Sequence, residues 1–147
     1  MRAVLDTNVI YSGLRSNRGA SYQILLAVQQ QRVQPVLGTT LLLEYEDVLK
    51  RPDRKLVFTS EEIDMVLDSI ASVADLQPIH RLWRPWLRDP KDDHLLELAM
   101  AANCRVIVTH NLKDFKNIAS LGVQAISPQE FLGILADFSK GSKGGLT

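Results

Sequence analysis

An α/β fold, with a mainly parallel sheet covered by helices on both faces, is what this sequence predicts, on three observations. Short apolar runs alternate along the chain with segments whose apolar residues recur every three or four positions. The clearest run, RVIVT at 105–109, carries an unbroken apolar centre, as a strand buried on both faces requires. No linker and no internal repeat divides the 147 residues, which is close to the length of one ordinary domain.

The elements follow in order. RAVLD (2–6) is a short apolar run ending in an acid and reads as a buried strand. Thr7, Asn8 and VIYSG come next and are assigned no element. GASYQILLAVQQQ (19–31) has Ile24, Leu25 and Val28 at helical spacing, and Gln34 to Leu37 is a second strand. Gly38-Thr39-Thr40 can cap a helix that runs to about Lys50 and stops before Pro52. Ser60-Glu61-Glu62 opens another, with Ile63, Val66, Leu67 and Ile70 on one stripe. Ala74 to Ile79 is a candidate strand, Asp92 to Asn103 a helix, and VQAI (123–126) a weaker strand. Ser127-Pro128-Gln129-Glu130 has an N-cap followed by proline at the first helical position, opening a last helix to about Phe138. The domain is thus expected over residues 1–138. The Gly/Ser/Lys-rich stretch 139–147 is expected to be a disordered tail.

Composition narrows the function. Seventeen basic and seventeen acidic residues cancel, so any attraction to nucleic acid must come from local patches. One cysteine and three scattered histidines cannot build a disulfide framework or a zinc ribbon. No apolar run approaches the roughly 20 residues that cross a bilayer, and the start lacks the long apolar stretch of a signal peptide. A cytoplasmic protein with no membrane partner is expected.

The acids carry the chemistry. Asp6 is the only acid in the first 43 residues and ends a strand, where parallel sheets bind ligands. Capping a turn is the plainer role for it. Glu44 lies on the apolar stripe of its helix, three residues from Leu41 and four from Val48, a costly place for an uncompensated acid. Asp92 starts the stripe of Leu95, Leu96 and Ala99, although acids also favour a first helical turn for its dipole. Asp114 follows the strand end at Thr109, in the polar run His110-Asn111-Leu112-Lys113-Asp114. In a parallel sheet these four carboxylates can converge at one edge. Two like charges about 5 Å apart at an effective dielectric of about 20 repel by roughly 3 kcal/mol, so the cluster calls for a cation. Oxygen donors alone select Mg²⁺ or Mn²⁺, the ions of phosphodiester hydrolysis.

At these residues the sequence resembles the PIN domain family of metal-dependent ribonucleases (PilT N-terminus-like). The matching pieces are VLDTNVIYSGL (4–14), TTLLLEYEDVLKRP (39–52), DPKDDHLLELAMAANCRVIVTHNLKDF (89–115) and SPQEFL (127–132), in family order. The most similar branch is the VapC-like toxin components of bacterial toxin–antitoxin pairs. The resemblance implies a three-layer α/β/α sandwich with a mainly parallel central sheet and an acidic Mg²⁺ or Mn²⁺ site. Carried over by position, it makes Asp6, Glu44 and Asp92 the core ligands and Asp114 the fourth acid, supported by Asn8, Thr109 and Asn111. It further implies an RNA substrate, a cognate antitoxin protein as partner, and a homodimer or higher homo-oligomer.

Other readings fit less well. A dinucleotide-binding domain needs G-x-G-x-x-G after the first strand, and DTNVIYSG lacks it. A phosphatase with an aspartyl nucleophile usually has two acids two residues apart there, and the second position is Asn8. The remaining alternative is a catalytically silent module of the same fold that binds RNA or a protein. Two surfaces complete the expectations. Arg81, Trp83, Arg84, Trp86 and Arg88 fall within nine residues just before Asp92, a candidate RNA contact through phosphate pairing and base stacking, or else a structural tryptophan cluster. The helices at 19–31 and 60–72 carry wide apolar stripes, a candidate surface for self-association, or else both stripes pack on the sheet.

Overall fold

A computed structural model of the chain describes residues 1–78 and 93–145. Strands β1 (Arg2–Leu5), β2 (Gln34–Leu37), β3 (Asp75–Leu76), β4 (Val106–Val108) and β5 (Gln124–Ile126) form one sheet in the order β3-β2-β1-β4-β5. Every pairing is parallel. Helices α1 (Thr7–Arg15), α2 (Ala20–Gln29), α3 (Thr39–Leu49), α4 (Ser60–Val73), α5 (Asp93–Ala101) and α6 (Pro128–Gly145) complete the three-layer α/β/α arrangement. Helix α5 lies against β1, β2 and β4, while α1 packs on α2 and α3, and α2 on α4 and α6. Val4, Leu5, Val36, Leu37, Ile107 and Val108 are fully buried, so the sheet supplies the centre of the core. No helix among the described residues is long and apolar enough to cross a membrane.

Strand order fixes where a site can form. Chain order runs outward from β1 to β3 on one side and from β4 to β5 on the other. The switch therefore lies between β1 and β4, at whose carboxyl ends open parallel sheets bind ligands. The register pairs Leu5 with Val108, which makes Asp6 and Thr109 the first residues beyond the two strands. The Asp6 N–H donates to the Val108 carbonyl at 2.9 Å and extends the ladder to that point.

Three elements differ from the sequence expectation. Residues 7–15, assigned no element, form α1 directly after β1. Val9 and Ile10 are β-branched, which hid the helix; both are wholly buried, and tertiary packing overrides a weak propensity. Close approach of α1 and α2 depends on Gly13, where a Cβ would fall 2.5 Å from Leu25 Cδ1. Helix α6 continues past Phe138 to Gly145, although Gly141 and Gly144 are poor helix formers. Strand β3 has two residues, Asp75–Leu76, rather than the run from Ala74 to Ile79, and Ile79 lies outside the described residues.

Candidate metal centre

Asp6 directly follows β1 and stands at the N-cap of α1 without capping it through its side chain. Its carboxylate instead turns across the switch point, where Oδ2 accepts from the Thr109 hydroxyl at 2.7 Å. Asp6 is 7% exposed and Thr109 is completely buried. The Thr109 hydroxyl oxygen also accepts from the Asn111 N–H at 3.0 Å, and Asn8 Oδ1 accepts from the His110 N–H at 3.3 Å. Thr109, Asn111 and Asn8 thus lock the turn after β4 onto the start of α1.

Glu44 reaches the same place from α3. Its Oε2 accepts from the Thr7 hydroxyl, on the first residue of α1, and lies 3.6 Å from His94 Nε2 at the start of α5. One residue further along α3, the buried Tyr45 hydroxyl donates to the Leu5 carbonyl and ties α3 to the end of β1. The helix stripe puts Leu41 and Tyr45 inside and leaves Glu44 half-buried at the rim, as its position between Leu41 and Val48 predicts.

The electrostatics separate the two acids. Burial holds the Asp6 carboxyl above the usual carboxylate range; the nearby Glu44 charge pushes it further up, and the Thr109 bond opposes the rise. Glu44 is held below the usual range, first by its contact with His94 and then by Thr7, against partial burial. The Tyr45 hydroxyl is pushed well up by burial and by both carboxylates. Among the described residues neither Asp6 nor Glu44 pairs with a lysine or arginine. Two neighbouring oxygen donors with no lysine or arginine against them among the described residues suit a hard divalent cation. His94 adds one nitrogen donor at the rim.

The other expected residues fall as follows. Asp114 lies in a 3-10 turn, Leu112–Phe115, where its N–H donates to the Asn111 carbonyl and its carboxylate makes no hydrogen bond or ion pair among the described residues. Asp92, Arg81, Trp83, Arg84, Trp86 and Arg88 lie outside the described residues. Among the described residues no three Asp, Glu, His or Cys side chains gather as a ready-made cation cage. Thr7 and His94 were missed by the sequence reading. Thr7 directly follows Asp6 and would have stood out had α1 been recognised, whereas the His94 contact with Glu44 joins residues fifty apart and left no local signal.

The fold and the site define a parallel α/β protein with paired carboxylates at the switch point of its sheet. A family model described as PIN domain matches residues 2–113, and the chain belongs to that family. The match stops one residue short of Asp114. No curated protein matches the chain. Among solved structures the chain is similar to "Crystal structure of VapBC2 from Rickettsia felis bound to a DNA fragment from their promoter". The TM-score is 0.57 at 18% identity, over 86% of this chain and 98% of the other. At that identity the likeness speaks for the fold.

Proposed function

We propose that the protein is a Mg²⁺- or Mn²⁺-dependent endoribonuclease that hydrolyses RNA phosphodiester bonds, and that it acts as the toxin of a toxin–antitoxin pair in the cytoplasm. The observation that carries the catalytic reading is the pair Asp6 and Glu44, set at the switch point with no lysine or arginine against them among the described residues. Asp6 and Glu44 would hold the cation, with Asp92 and Asp114 completing its oxygen shell. Bound there, the ion supplies a Lewis acid that lowers the pKa of a water and offsets charge in the in-line displacement. Thr109 fixes the orientation of the Asp6 carboxylate, and Asn8 and Asn111 hold the turn that carries Thr109. Thr7 and His94 keep Glu44 ionised, and Glu44 either binds the ion or orients the attacking water.

Membership of the PIN domain family and a fold similar to a VapBC2 complex support the toxin reading and an antitoxin partner. For self-association, as a homodimer or higher homo-oligomer, the support is an apolar groove of about 470 Å³ between α2 and α4, lined by Leu25, Leu26, Met65, Val66 and Ile70 among others. It lies on α2 and α4, and Met65 on α4 is 70% exposed. Cleavage of labelled RNA by the purified chain, with Mn²⁺ and with EDTA, tests the catalytic reading. We expect cleavage that requires the ion and vanishes in Asp6→Asn. RNA binding without cleavage under any divalent ion would instead make the chain a silent binding module.

A further inference from the structure

The loop after α3, Lys50-Arg51-Pro52-Asp53-Arg54-Lys55, carries four cations in six residues. Two are neutralised. Lys50 Nζ lies 2.6 Å from Asp64, and Arg51 Nη2 lies 2.6 Å from Asp47. The other two have no acidic partner among the described residues. Arg54 is half-buried, its guanidinium carbon 5.2 Å from the centre of the Tyr11 ring. Its Nε is the one buried side-chain nitrogen or oxygen without a hydrogen bond among the described residues. With Nε buried, the Nη1–Nη2 end of the guanidinium, which makes no hydrogen bond among the described residues, is the part suited to taking a phosphate. Lys55 beside it is exposed and held at φ 55, a backbone region lysine rarely adopts.

The loop is tied to the candidate metal centre through one face of α1. Thr7 and Tyr11, four residues apart, share that face. The Thr7 hydroxyl donates to Glu44, and the Tyr11 hydroxyl donates to the Arg54 carbonyl at 3.1 Å. Arg54 and Glu44 are therefore held by neighbouring turns of one face of α1.

We infer that Arg54 and Lys55 form a phosphate-binding subsite that grips the single-stranded RNA backbone next to the scissile bond, with Tyr11 as the platform that aims Arg54. The inference rests on the ribonuclease reading. It adds a contact outside the 81–88 segment, made by a loop that the sequence pattern did not single out.

The test measures binding of a short fluorescein-labelled single-stranded RNA to the full chain carrying Asp6→Asn, which stops cleavage, across a series of salt concentrations. Arg54→Ala should weaken binding about tenfold, and each lost phosphate contact should flatten the salt slope by about 0.7. Arg54→Lys should recover part of the affinity, because it keeps the charge and loses the fork. Lys55→Ala, on an exposed side chain that folding does not require, should weaken binding about threefold with a similar change of slope. Should the parent fail to bind RNA at all, the ribonuclease reading falls and takes this inference with it. Should the parent bind while Arg54→Ala and Lys55→Ala match it in affinity and slope, the inference alone is overturned, and the Arg54–Tyr11 contact only pins the loop to α1.

Discussion

The carboxyl edge of β1 and β4 and the groove between α2 and α4 are opposites in chemistry. At the edge, charged groups are buried and individually directed: Thr109 to Asp6, Thr7 and His94 to Glu44, Tyr45 to the Leu5 carbonyl. In the groove, apolar side chains stand open, with Met65 70% exposed. Each region is costly in the isolated chain, the edge because like charges are held close in a low-dielectric setting, the groove because apolar surface stays wet. The difference is one of chemistry: the edge offers directed oxygen donors, which the proposed function assigns to a small hard cation, and the groove offers open apolar surface, which it assigns to self-association.

Asp6→Asn is the sharpest way to separate the two regions. RNA cleavage should fall to background, while the ion-free variant melts at or above the wild-type temperature. The sign follows from linkage. An acid whose pKa is raised by folding opposes the folded state when ionised, so removing its charge stabilises the chain above that raised pKa. The melting advantage should therefore be present at neutral pH and disappear below about pH 4, where Asp6 is protonated in folded and unfolded chains alike. Melting curves recorded in EDTA across that range check it; an ion-free variant clearly less stable at neutral pH would mean that Asp6 is a structural cap.

Next in size is the support beneath the edge. Thr109→Val keeps the shape and deletes a buried donor to Asp6 and the acceptor for the Asn111 N–H, which should cost about 1–3 kcal/mol by urea unfolding. Cleavage should fall as well, since the Asp6 carboxylate loses its orientation. In the groove, Gly13→Ala brings a methyl within 2.5 Å of Leu25 Cδ1 and should destabilise by about 1–3 kcal/mol, with part of the loss recovered in a Gly13→Ala, Leu25→Ala double variant. The smallest effect on folding is Met65→Asp, within about 0.5 kcal/mol for an exposed side chain. Light scattering should nevertheless show it as a monomer at concentrations where the wild type associates. A wild type that stays monomeric at high micromolar concentration breaks the groove half of the comparison.

How much was legible in the sequence follows the same division. Strands β1, β2, β4 and β5 and helices α2 to α5 could be read because local periodicity agrees with burial; the α4 opening was read at Ser60-Glu61-Glu62, and the capping residue is Thr59, one position earlier, bonded to Glu62. Helix α1 could not, because Val9 and Ile10 look like strand residues and become helical through packing on α2 and α3. Asp6 and Glu44 were legible as acids where apolar patterning calls for none. Thr7 and His94 were not, because they act on Glu44 across 37 and 50 positions of chain and belong to ordinary helix starts. Arg54 was equally hidden, since only the fold shows that its neighbours Lys50 and Arg51 find acids while it finds none among the described residues.

The central claim is that Asp6 and Glu44 hold a divalent cation at the β1–β4 switch point. Calorimetric titration of Mn²⁺ into the ion-free chain tests it without reference to any substrate. Binding should be measurable in the wild type and at least tenfold weaker in both Asp6→Asn and Glu44→Gln, since each loses a charged oxygen ligand. Equal Mn²⁺ affinity in the wild type and in both variants would contradict the account.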